Sequence, residues 1–288
     1  MARRGVLFLI VAIAALFTSG CSGLSLLDAV TADGGYTVEP DLAYGALPRQ
    51  DIDIYRPLVP VDPNRPVLVF FYGGSWTWGD RASYRFIGQS FASAGYVTVV
   101  ADYRHYPEAR FPGFIEDGAA AVALVARHIP GSAGHIVVIG HSSGAYIAAM
   151  LACDRRYLDA AGPGRQVLAG FIGVAGPYDF EMQGPIAELL ASPDGRPNMP
   201  ITSIDGHEPP ALLVVADDDT LVPTGNTDRF AARLKMRGDR VQIRRFEGTS
   251  HGRLVASLGT ALPEFAPTER ADVLAFLQAQ QVQLAAAP

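Results

Sequence analysis

Apolar runs alternate with helical patterns along most of this chain, and that alternation limits the folds it can adopt. Six such runs cover residues 66–72, 96–103, 135–140, 167–176, 211–217 and 241–248. The middle runs are apolar at nearly every position, as expected of strands that helices cover on both faces. Strands that alternate with helices form a mostly parallel sheet, so the sequence predicts an α/β fold with helices on both faces.

The intervals between the runs carry the expected helical periodicity. Apolar and small residues at helical spacing predict helices over 114–129, 229–236 and 270–284, with Thr268 as the N-cap of the last. Before the first run, the segment "RQDIDIYRP" alternates polar and apolar residues, which predicts a half-buried strand. Residues 178–210 are rich in Pro, Gly and Asp and interrupt the alternation. They are predicted to form a small insertion or partial lid.

The first 20 residues have the features of an export signal. A basic start precedes an apolar run from Val6 to Phe17, which is shorter than the about 20 residues of a membrane span. The ending "TSGC" resembles a bacterial lipobox, in which Cys21 becomes the lipidated first residue of the mature chain. Ser22 after that cysteine implies outer-membrane sorting in a Gram-negative host. The alternative is ordinary signal cleavage, which leaves Cys21 as a free thiol.

Length and composition set the remaining expectations. The chain has 288 residues, of which 49% are hydrophobic, enough for one large domain. We therefore expect a signal peptide at 1–20, a tether at 21–48 and one domain at 49–288. The net charge of -6 argues against nucleic acid as a partner. Cys153 lies in an apolar helical stretch and is expected to be buried and unpaired, and the sequence contains no metal-ligand spacing.

The segment "HIVVIGHSSGAYIAAM" carries the main chemical signal. It contains Gly140-His141-Ser142-Ser143-Gly144, a G-x-S-x-G motif between a buried strand and a helix. On such a turn a serine occupies a strained conformation, and the flanking positions must be glycine because side chains there would collide with strand and helix. The helix start directs free N–H groups at the serine. Ser142 is therefore predicted to be a nucleophile; the alternative is a turn that only packs the helix closely.

A nucleophilic serine needs a base and an acid that orients the base. After this motif the acid precedes the histidine in the chain. Four of the six histidines precede Ser142, and His207 lies before the run 211–217 and hence upstream of any plausible acid. His251, just after the last run, is predicted to be the base. The acid is expected at the end of the run 211–217, where three candidates stand: Asp217, Asp218 and Asp219.

Together these features resemble the α/β-hydrolases. More narrowly, the chain is similar to the esterase branches related to hormone-sensitive lipase, kynurenine formamidase and bacterial feruloyl-esterase-like (BD-FAE-type) proteins. The likeness spans 51–277 and includes "FFYGGSWTWGD" and "ADYRHYPEARFPGFIEDGAAAV", together with "GPYDF". The family pattern G-x-x-D-x-x-V, with Ala216 in place of Gly, selects Asp219 as the acid, with Asp218 as the alternative. The resemblance also implies loop-tying roles for three residues: Asp102, Arg104 and Asp117.

The resemblance further implies an oxyanion hole. In that family a loop reading H-G-G-x-W donates backbone N–H groups to the oxyanion, and here the loop begins with Tyr72. The implied donors are the N–H groups of Gly74, Ser75 and Ser143. Because a backbone N–H does not depend on the side chain, Tyr72 in place of the family His leaves the donors intact. We expect the tyrosine to hold the loop and to affect substrate preference.

The expected function is hydrolysis of short-chain or aromatic carboxylic esters, without a cofactor or metal, by an exported and lipid-anchored enzyme. An amide hydrolase of the kynurenine formamidase or peptidase type would use the same residues. A protein of another class, a surface lipoprotein that keeps this fold for binding alone, is the remaining alternative.

Overall fold

An eight-stranded sheet organises the part of the chain that the computed structural model describes, namely residue 27, residues 29–261 and residues 269–286. The strands are β1 (Tyr36–Ala43), β2 (Asp51–Pro57), β3 (Val67–Phe71), β4 (Thr98–Ala101), β5 (Ile136–His141), β6 (Leu168–Val174), β7 (Ala211–Ala216) and β8 (Val241–Phe246). Their order is β1-β2-β4-β3-β5-β6-β7-β8. β1 and β2 run antiparallel to their neighbours, and the other six strands are parallel.

Helices follow the strands in the alternating order predicted from the sequence. The helices are α1 (Arg85–Ser93), α2 (Gly113–His128), α3 (Ser143–Cys153), α4 (Arg155–Ala161), α5 (Gly184–Leu189), α6 (Gly225–Met236), α7 (His251–Ala256) and α8 (Glu269–Ala285). β3, β4, β5 and β7 are buried at every position, which requires cover on both faces of the sheet. Cys153 is buried at the end of α3, as expected. Among the described residues no helix is long and apolar enough to cross a membrane.

The predicted elements are confirmed with small shifts at their ends. All six apolar runs contain or overlap strands β3 to β8, and "RQDIDIYRP" contains β2. The predicted helices correspond to α2, α6 and α8. α6 begins at Gly225 rather than Arg229, and α2 stops at His128 because Ile129 is already extended. Thr268, the predicted N-cap of α8, lies outside the described residues.

The predicted tether is wrong over its C-terminal half, because it contains β1. This strand pairs with β2 from Tyr36 opposite Pro57 to Ala43 opposite Asp51. Its residues are exposed or half-buried at all eight positions, so an edge strand of this kind carries no apolar pattern that a sequence reading could detect. Leu27 is also only 1% exposed and belongs to the core. The predicted signal peptide and Cys21 lie outside the described residues.

The irregular segment 178–210 lies between β6 and β7, where the sequence predicted an insertion. It packs on the body of the domain: Leu190 is fully buried, and the N–H of Phe111 donates to the carbonyl oxygen of Leu189 at 2.9 Å. The hydroxyl of Tyr146 on α3 donates to the carbonyl oxygen of Asn198 at 2.5 Å. The insertion is therefore tied to the helix that follows the G-x-S-x-G turn.

A buried carboxyl group precedes β7. The side chain of Glu208 is 2% exposed, and its two oxygens accept hydrogen bonds from the N–H groups of Asp205 at 2.7 Å and Gly206 at 2.8 Å. The backbone N–H of Glu208 donates to Asp239 at 3.2 Å, which places a second carboxyl beside the first. Burial raises the pKa of Glu208 to about 7, and the neighbouring Asp239 contributes a smaller increase. The folded chain therefore keeps a proton that an unfolded glutamate would lose.

This group predicts a specific dependence of stability on pH. Because the ordinary pKa of glutamate is 4.5 and the folded value is about 7, folding takes up a proton between these values, and stability contributed by the protonated form is lost as pH rises through them. Glu208→Gln cannot titrate. The free energy of unfolding of this variant minus that of the native chain is expected to increase as the pH rises from 4.5 to about 7, as measured by urea denaturation.

Glu247→Gln at an exposed position near the end of β8 is the matched control, and its difference from the native chain is expected to stay constant across the same pH range. A Glu208→Gln difference that is equally constant would show that Glu208 titrates alike in the folded and unfolded states.

Candidate active site

Ser142 occupies a strained turn between β5 and α3. Its φ of 54° and ψ of -122° are unfavourable for a residue with a side chain. A Cβ at Gly140 would lie 2.2 Å from the carbonyl oxygen of Gly144, and a Cβ at Gly144 would lie 2.1 Å from that of Phe71. Both flanking positions therefore require glycine, for the steric reason expected from the sequence. The turn leaves Ser142 at the carboxyl ends of the parallel strands, where open α/β sheets bind ligands.

A hydrogen bond joins the predicted base and acid. Nδ1 of His251, the first residue of α7, lies 2.7 Å from Oδ2 of Asp219, which follows β7. The N–H groups of Leu221 and Val222 each donate to Oδ1 of Asp219 at 2.9 Å and fix the carboxylate. Burial alone would raise the pKa of Asp219, but the hydrogen bonds from His251 and these N–H groups lower it below its ordinary value. The carboxylate is therefore ionised and oriented toward His251.

The neighbouring aspartates do not take this position. Asp218, the alternative acid, is exposed, and Asp217 forms an ion pair with Arg245 at 3.0 Å. Adjacent residues of a loop point in different directions, so only one of the three carboxylates turns inward. The structure brings Asp219 to His251, in agreement with the family pattern, and the catalytic role of the pair remains a prediction.

Ser142 and His251 line one cavity of about 120 Å³. Because Nδ1–H of His251 donates to a carboxylate, Nε2 is left as the free proton acceptor of the ring. Within the described ranges no hydrogen bond joins Ser142 directly to His251, and such catalytic bonds often tighten only when substrate binds. The cavity is also lined by Gly73, Gly74, Ser75, Trp78, Tyr84, His141, Gly252 and Val255.

The loop after β3, residues 73–80, supplies one side of this cavity; we call it the oxyanion loop. Gly74, Ser75 and Trp76 have φ values of 148°, 50° and 58°, and the carbonyl oxygen of Gly74 accepts from the N–H of Thr77 at 2.9 Å. Among the described residues, the N–H groups of Gly74 and Ser75 have no hydrogen-bond acceptor. Ser143 opens α3, so its N–H has no acceptor within the helix. These are the three predicted oxyanion donors.

The two tryptophans of this loop have different surroundings. Trp76 is buried and packs edge-on against Tyr146 with ring centroids 5.2 Å apart. Trp78 is 41% exposed and lines the cavity. The tryptophan that lines the cavity is therefore Trp78, while Trp76 anchors the loop in the core.

His141 contributes to the site in a way that sequence reasoning missed. Its Nε2 lies 3.3 Å from the carbonyl oxygen of His251, and the two imidazole rings have centroids 4.8 Å apart. Burial lowers the pKa of His141 well below its ordinary value, so the ring is neutral and can donate through Nε2. His141 links the turn of Ser142 to the start of α7. A histidine in the variable position of the motif was the only signal, and it does not specify this contact.

Ion pairs tie the loops around the site, as the resemblance implied. Arg104 Nη2 contacts Asp117 Oδ1 at 2.8 Å, and its Nε contacts Oδ2 at 2.8 Å. The N–H of Arg81 donates to Asp102 at 2.9 Å. The described residues contain no group of three or more His, Cys, Asp or Glu side chains that could hold a metal ion.

The parallel sheet, the strained serine turn and the Asp219–His251 pair define the α/β-hydrolase fold. Residues 52–181 match the family model BD-FAE. The chain is 25% identical over 245 residues to the probable isoprenylcysteine alpha-carbonyl methylesterase ICMEL1 of Arabidopsis thaliana, covering 74% of this chain and 51% of that protein. It is 29% identical over 228 residues to the probable carboxylic ester hydrolase LipM of Mycobacterium tuberculosis, covering 69% of this chain and 52% of that protein.

Solved structures share the fold. Esterase B from Lactobacillus rhamnosis matches with a TM-score of 0.77 at 18% identity, covering 95% of this chain and 97% of that one. A truncated carbohydrate esterase from gut microbiota matches with a TM-score of 0.72 at 20% identity, covering 88% and 99%. The chain spans about half the length of the curated relatives above. The chain has the α/β-hydrolase fold and is similar in sequence to the esterases named above.

The choice between the two candidate acids can be tested directly. Asp219→Asn removes the charge that orients the imidazole and stabilises its protonated form, so kcat for p-nitrophenyl acetate is expected to fall by roughly 10³- to 10⁴-fold. Asp218→Asn, the matched control, is expected to change kcat by less than about twofold. Comparable losses in the two variants would contradict the assignment of Asp219.

Proposed function

We propose that the chain hydrolyses carboxylic esters through an acyl-enzyme on Ser142. The observation that carries the proposal is the 2.7 Å contact between Asp219 Oδ2 and Nδ1 of His251, a residue that lines the same cavity as Ser142. The names of the curated relatives, a methylesterase and a carboxylic ester hydrolase, support an ester as the substrate.

Acylation begins with Ser142. Its Oγ attacks the ester carbonyl carbon while Nε2 of His251 takes the hydroxyl proton, and Asp219 stabilises the imidazolium. The carbonyl electron pair moves onto oxygen, and the N–H groups of Gly74, Ser75 and Ser143 stabilise that oxyanion. When the tetrahedral intermediate collapses, the bond to the alcohol oxygen breaks. His251 then gives its proton to the departing alcohol, leaving the acyl group on Ser142.

Deacylation repeats these steps with water. His251 takes a proton from water as the water oxygen bonds to the acyl carbon, and the same N–H groups stabilise the second oxyanion. Collapse breaks the bond to Oγ of Ser142, which regains its proton from His251. The carboxylic acid leaves, and Asp219 stays ionised throughout. His251 therefore relays both protons that the cycle moves, one from Ser142 to the alcohol and one from water to Ser142.

The cavity supports small substrates. Its volume of about 120 Å³ equals about four waters at roughly 30 Å³ each, which is comparable to a short acyl group. Tyr84 and Val255 are at most 1% exposed and form a buried part of its wall. The exposed ring of Trp78 provides a surface on which an aromatic group can stack. We infer that short-chain acyl esters, including those of aromatic alcohols, are the substrates.

A substrate panel with one variant tests this function. The purified chain is expected to cleave p-nitrophenyl acetate and butyrate faster than the decanoate, because the cavity of about 120 Å³ is too small for a long acyl chain. Ser142→Ala is expected to lose roughly 10⁴-fold or more of kcat/KM, since it removes the nucleophile. A fluorophosphonate probe should label the native chain and leave Ser142→Ala unlabelled.

Ser192→Ala, in the insertion, is the control and should keep full activity and labelling. Full activity in Ser142→Ala would overturn the assignment. A native chain that neither labels nor hydrolyses any member would identify a binding protein instead. Cleavage of N-formylkynurenine in preference to every ester would identify an amide hydrolase.

We also propose that the chain is exported and anchored by lipid on Cys21. The basic start, the apolar run from Val6 to Phe17 and the ending "TSGC" support this placement. An anchored enzyme would act on esters that reach the cell envelope.

Metabolic labelling tests the anchor. In a bacterial host fed an alkynyl palmitate analogue, the native chain is expected to incorporate label and to fractionate with membranes, because the thiol of Cys21 carries the lipid. Cys21→Ser should lose both properties, whereas Cys153→Ser, which changes the buried cysteine, should retain them. An unlabelled native chain that fractionates as a soluble protein would instead indicate ordinary signal cleavage.

A further inference from the structure

Three buried polar side chains form a hydrogen-bonded chain beside the oxyanion loop. The hydroxyl of Tyr72 donates to Oδ1 of Asp102 at 2.7 Å, and Nε2 of His105 lies 3.2 Å from the same hydroxyl oxygen. Tyr72 is fully buried, and the other two residues are at most 4% exposed. His105 precedes Ser142 in the chain, an order that argues against a role as the base. The structure places it in a different arrangement, here called the His105–Tyr72–Asp102 chain.

The hydrogen-bond partners of these three side chains show which atom of the His105–Tyr72–Asp102 chain carries each proton. Burial raises the pKa of Asp102, but the guanidinium of Arg81 donates to its Oδ2 at 2.5 Å and the backbone N–H of Arg81 donates to its Oδ1 at 2.9 Å, so both carboxyl oxygens act as acceptors. Tyr72 has one proton and gives it to Asp102. Its oxygen then accepts from His105, which must carry its proton on Nε2. Burial lowers the pKa of His105 to about 4, so the neutral ring is the form present near neutral pH.

The His105–Tyr72–Asp102 chain fixes both ends of the oxyanion loop. Asp102 binds Tyr72 just before the loop and the N–H of Arg81 just after it. Gly79, near the C-terminal end of the loop, lies close to the Tyr72 ring, because a Cβ there would be 2.7 Å from a ring carbon. The hydroxyl of Tyr103 donates to the carbonyl oxygen of Tyr72 at 2.9 Å. The loop therefore closes around the Tyr72 ring.

The loop needs such support because of its own conformation. Ser75 and Trp76 are consecutive non-glycine residues in the left-handed region, with φ values of 50° and 58°. Residues in this region persist only where the surrounding structure fixes them. Gly74 and Ser75 of the same segment line the cavity, and among the described residues their N–H groups have no acceptor. A small rotation of these peptides would turn the N–H groups away from an oxyanion.

We propose that Tyr72 and His105 are positioning residues for the oxyanion hole. His105 holds the Tyr72 hydroxyl in the orientation that donates to Asp102, and this arrangement keeps the N–H groups of Gly74 and Ser75 directed into the cavity. The inference rests on the proposed ester hydrolysis. In this arrangement a tyrosine and a second histidine support the oxyanion loop together.

The test compares variants that remove one hydrogen bond each. Tyr72→Phe keeps the ring and removes the hydroxyl, and it is expected to lower kcat for p-nitrophenyl acetate by about 10- to 100-fold with KM within about twofold. His105→Leu removes the donor and is expected to lower kcat in the same way, by about tenfold. His105→Gln retains a donor near the position of Nε2 and is expected to restore at least about half of native kcat. The double variant Tyr72→Phe/His105→Leu should match Tyr72→Phe, because both act through one chain.

A second readout separates positioning from general damage. An alkylboronic acid forms a tetrahedral adduct on Ser142 whose oxygen occupies the oxyanion hole, so its inhibition constant should rise by the factor by which kcat/KM falls. Active enzyme is counted by fluorophosphonate labelling. Tyr157→Phe, which removes the hydroxyl of a buried tyrosine on α4, is the control and should leave both constants unchanged.

The outcomes are distinct. Native kcat and inhibition constant in Tyr72→Phe, in an enzyme that Ser142→Ala inactivates, would overturn this inference alone. An inactive native chain would instead overturn the proposed function. If Tyr72→Phe does not fold, the His105 pair decides the matter, since equal kcat in His105→Leu and His105→Gln would also overturn the inference.

Discussion

The close approach of β3 and β5 is the constraint on which the site depends. Phe71 at the end of β3 pairs with Gly140 at the end of β5, so the oxyanion loop and the serine turn leave the sheet side by side. Gly144 allows this approach, because a Cβ there would collide with the carbonyl oxygens of both Phe71 and Tyr72. The pairing of β3 with β5, rather than any side chain, thus places the oxyanion loop and the serine turn next to each other, where both can donate N–H groups to one oxyanion. Side chains then only have to hold the exact loop conformation.

Buried ion pairs are one way in which side chains hold the conformation of these loops. The ion pairs of Asp102 with Arg81 and of Asp117 with Arg104 lie in the loops that surround the site, and both carboxylates are nearly inaccessible to solvent. A buried carboxylate is tolerated only where donors satisfy it, and each of these accepts both guanidinium and backbone N–H groups. Removing either arginine would leave a buried carboxylate without its guanidinium partner. Loss of one partner would therefore destabilise these loops. Stable loops matter at this site because its predicted oxyanion donors are backbone N–H groups, whose direction depends on the loop conformation.

Local signals in the sequence were sufficient for some parts of this site. Ser142 could be predicted because its strand, turn and helix are contiguous, and the steric need for flanking glycines is local too. Asp219 required a family pattern, since Asp217, Asp218 and Asp219 are chemically alike and only the tertiary fold decides which points inward. β1 could not be predicted, because its exposed edge position imposes no apolar pattern. The role of His105 was equally hidden, since it depends on contact with a residue 33 positions away.

Burial also determines which imidazole can accept the proton of Ser142. Three histidines lie near the cavity, and burial lowers the pKa of both His105 and His141. His105 already donates to Tyr72, and Nε2 of His141 contacts the carbonyl oxygen of His251, while the buried Nδ1 of His141 has no hydrogen-bond partner in the described part of the chain that could orient the ring. Of the three rings, only His251 has a carboxylate on Nδ1, which stabilises the protonated form when Nε2 takes a proton. The surrounding neutral rings add no positive charge to oppose that step. Selectivity among the three bases therefore follows from which ring is paired with an ionised acid, and β7 supplies that acid only at Asp219.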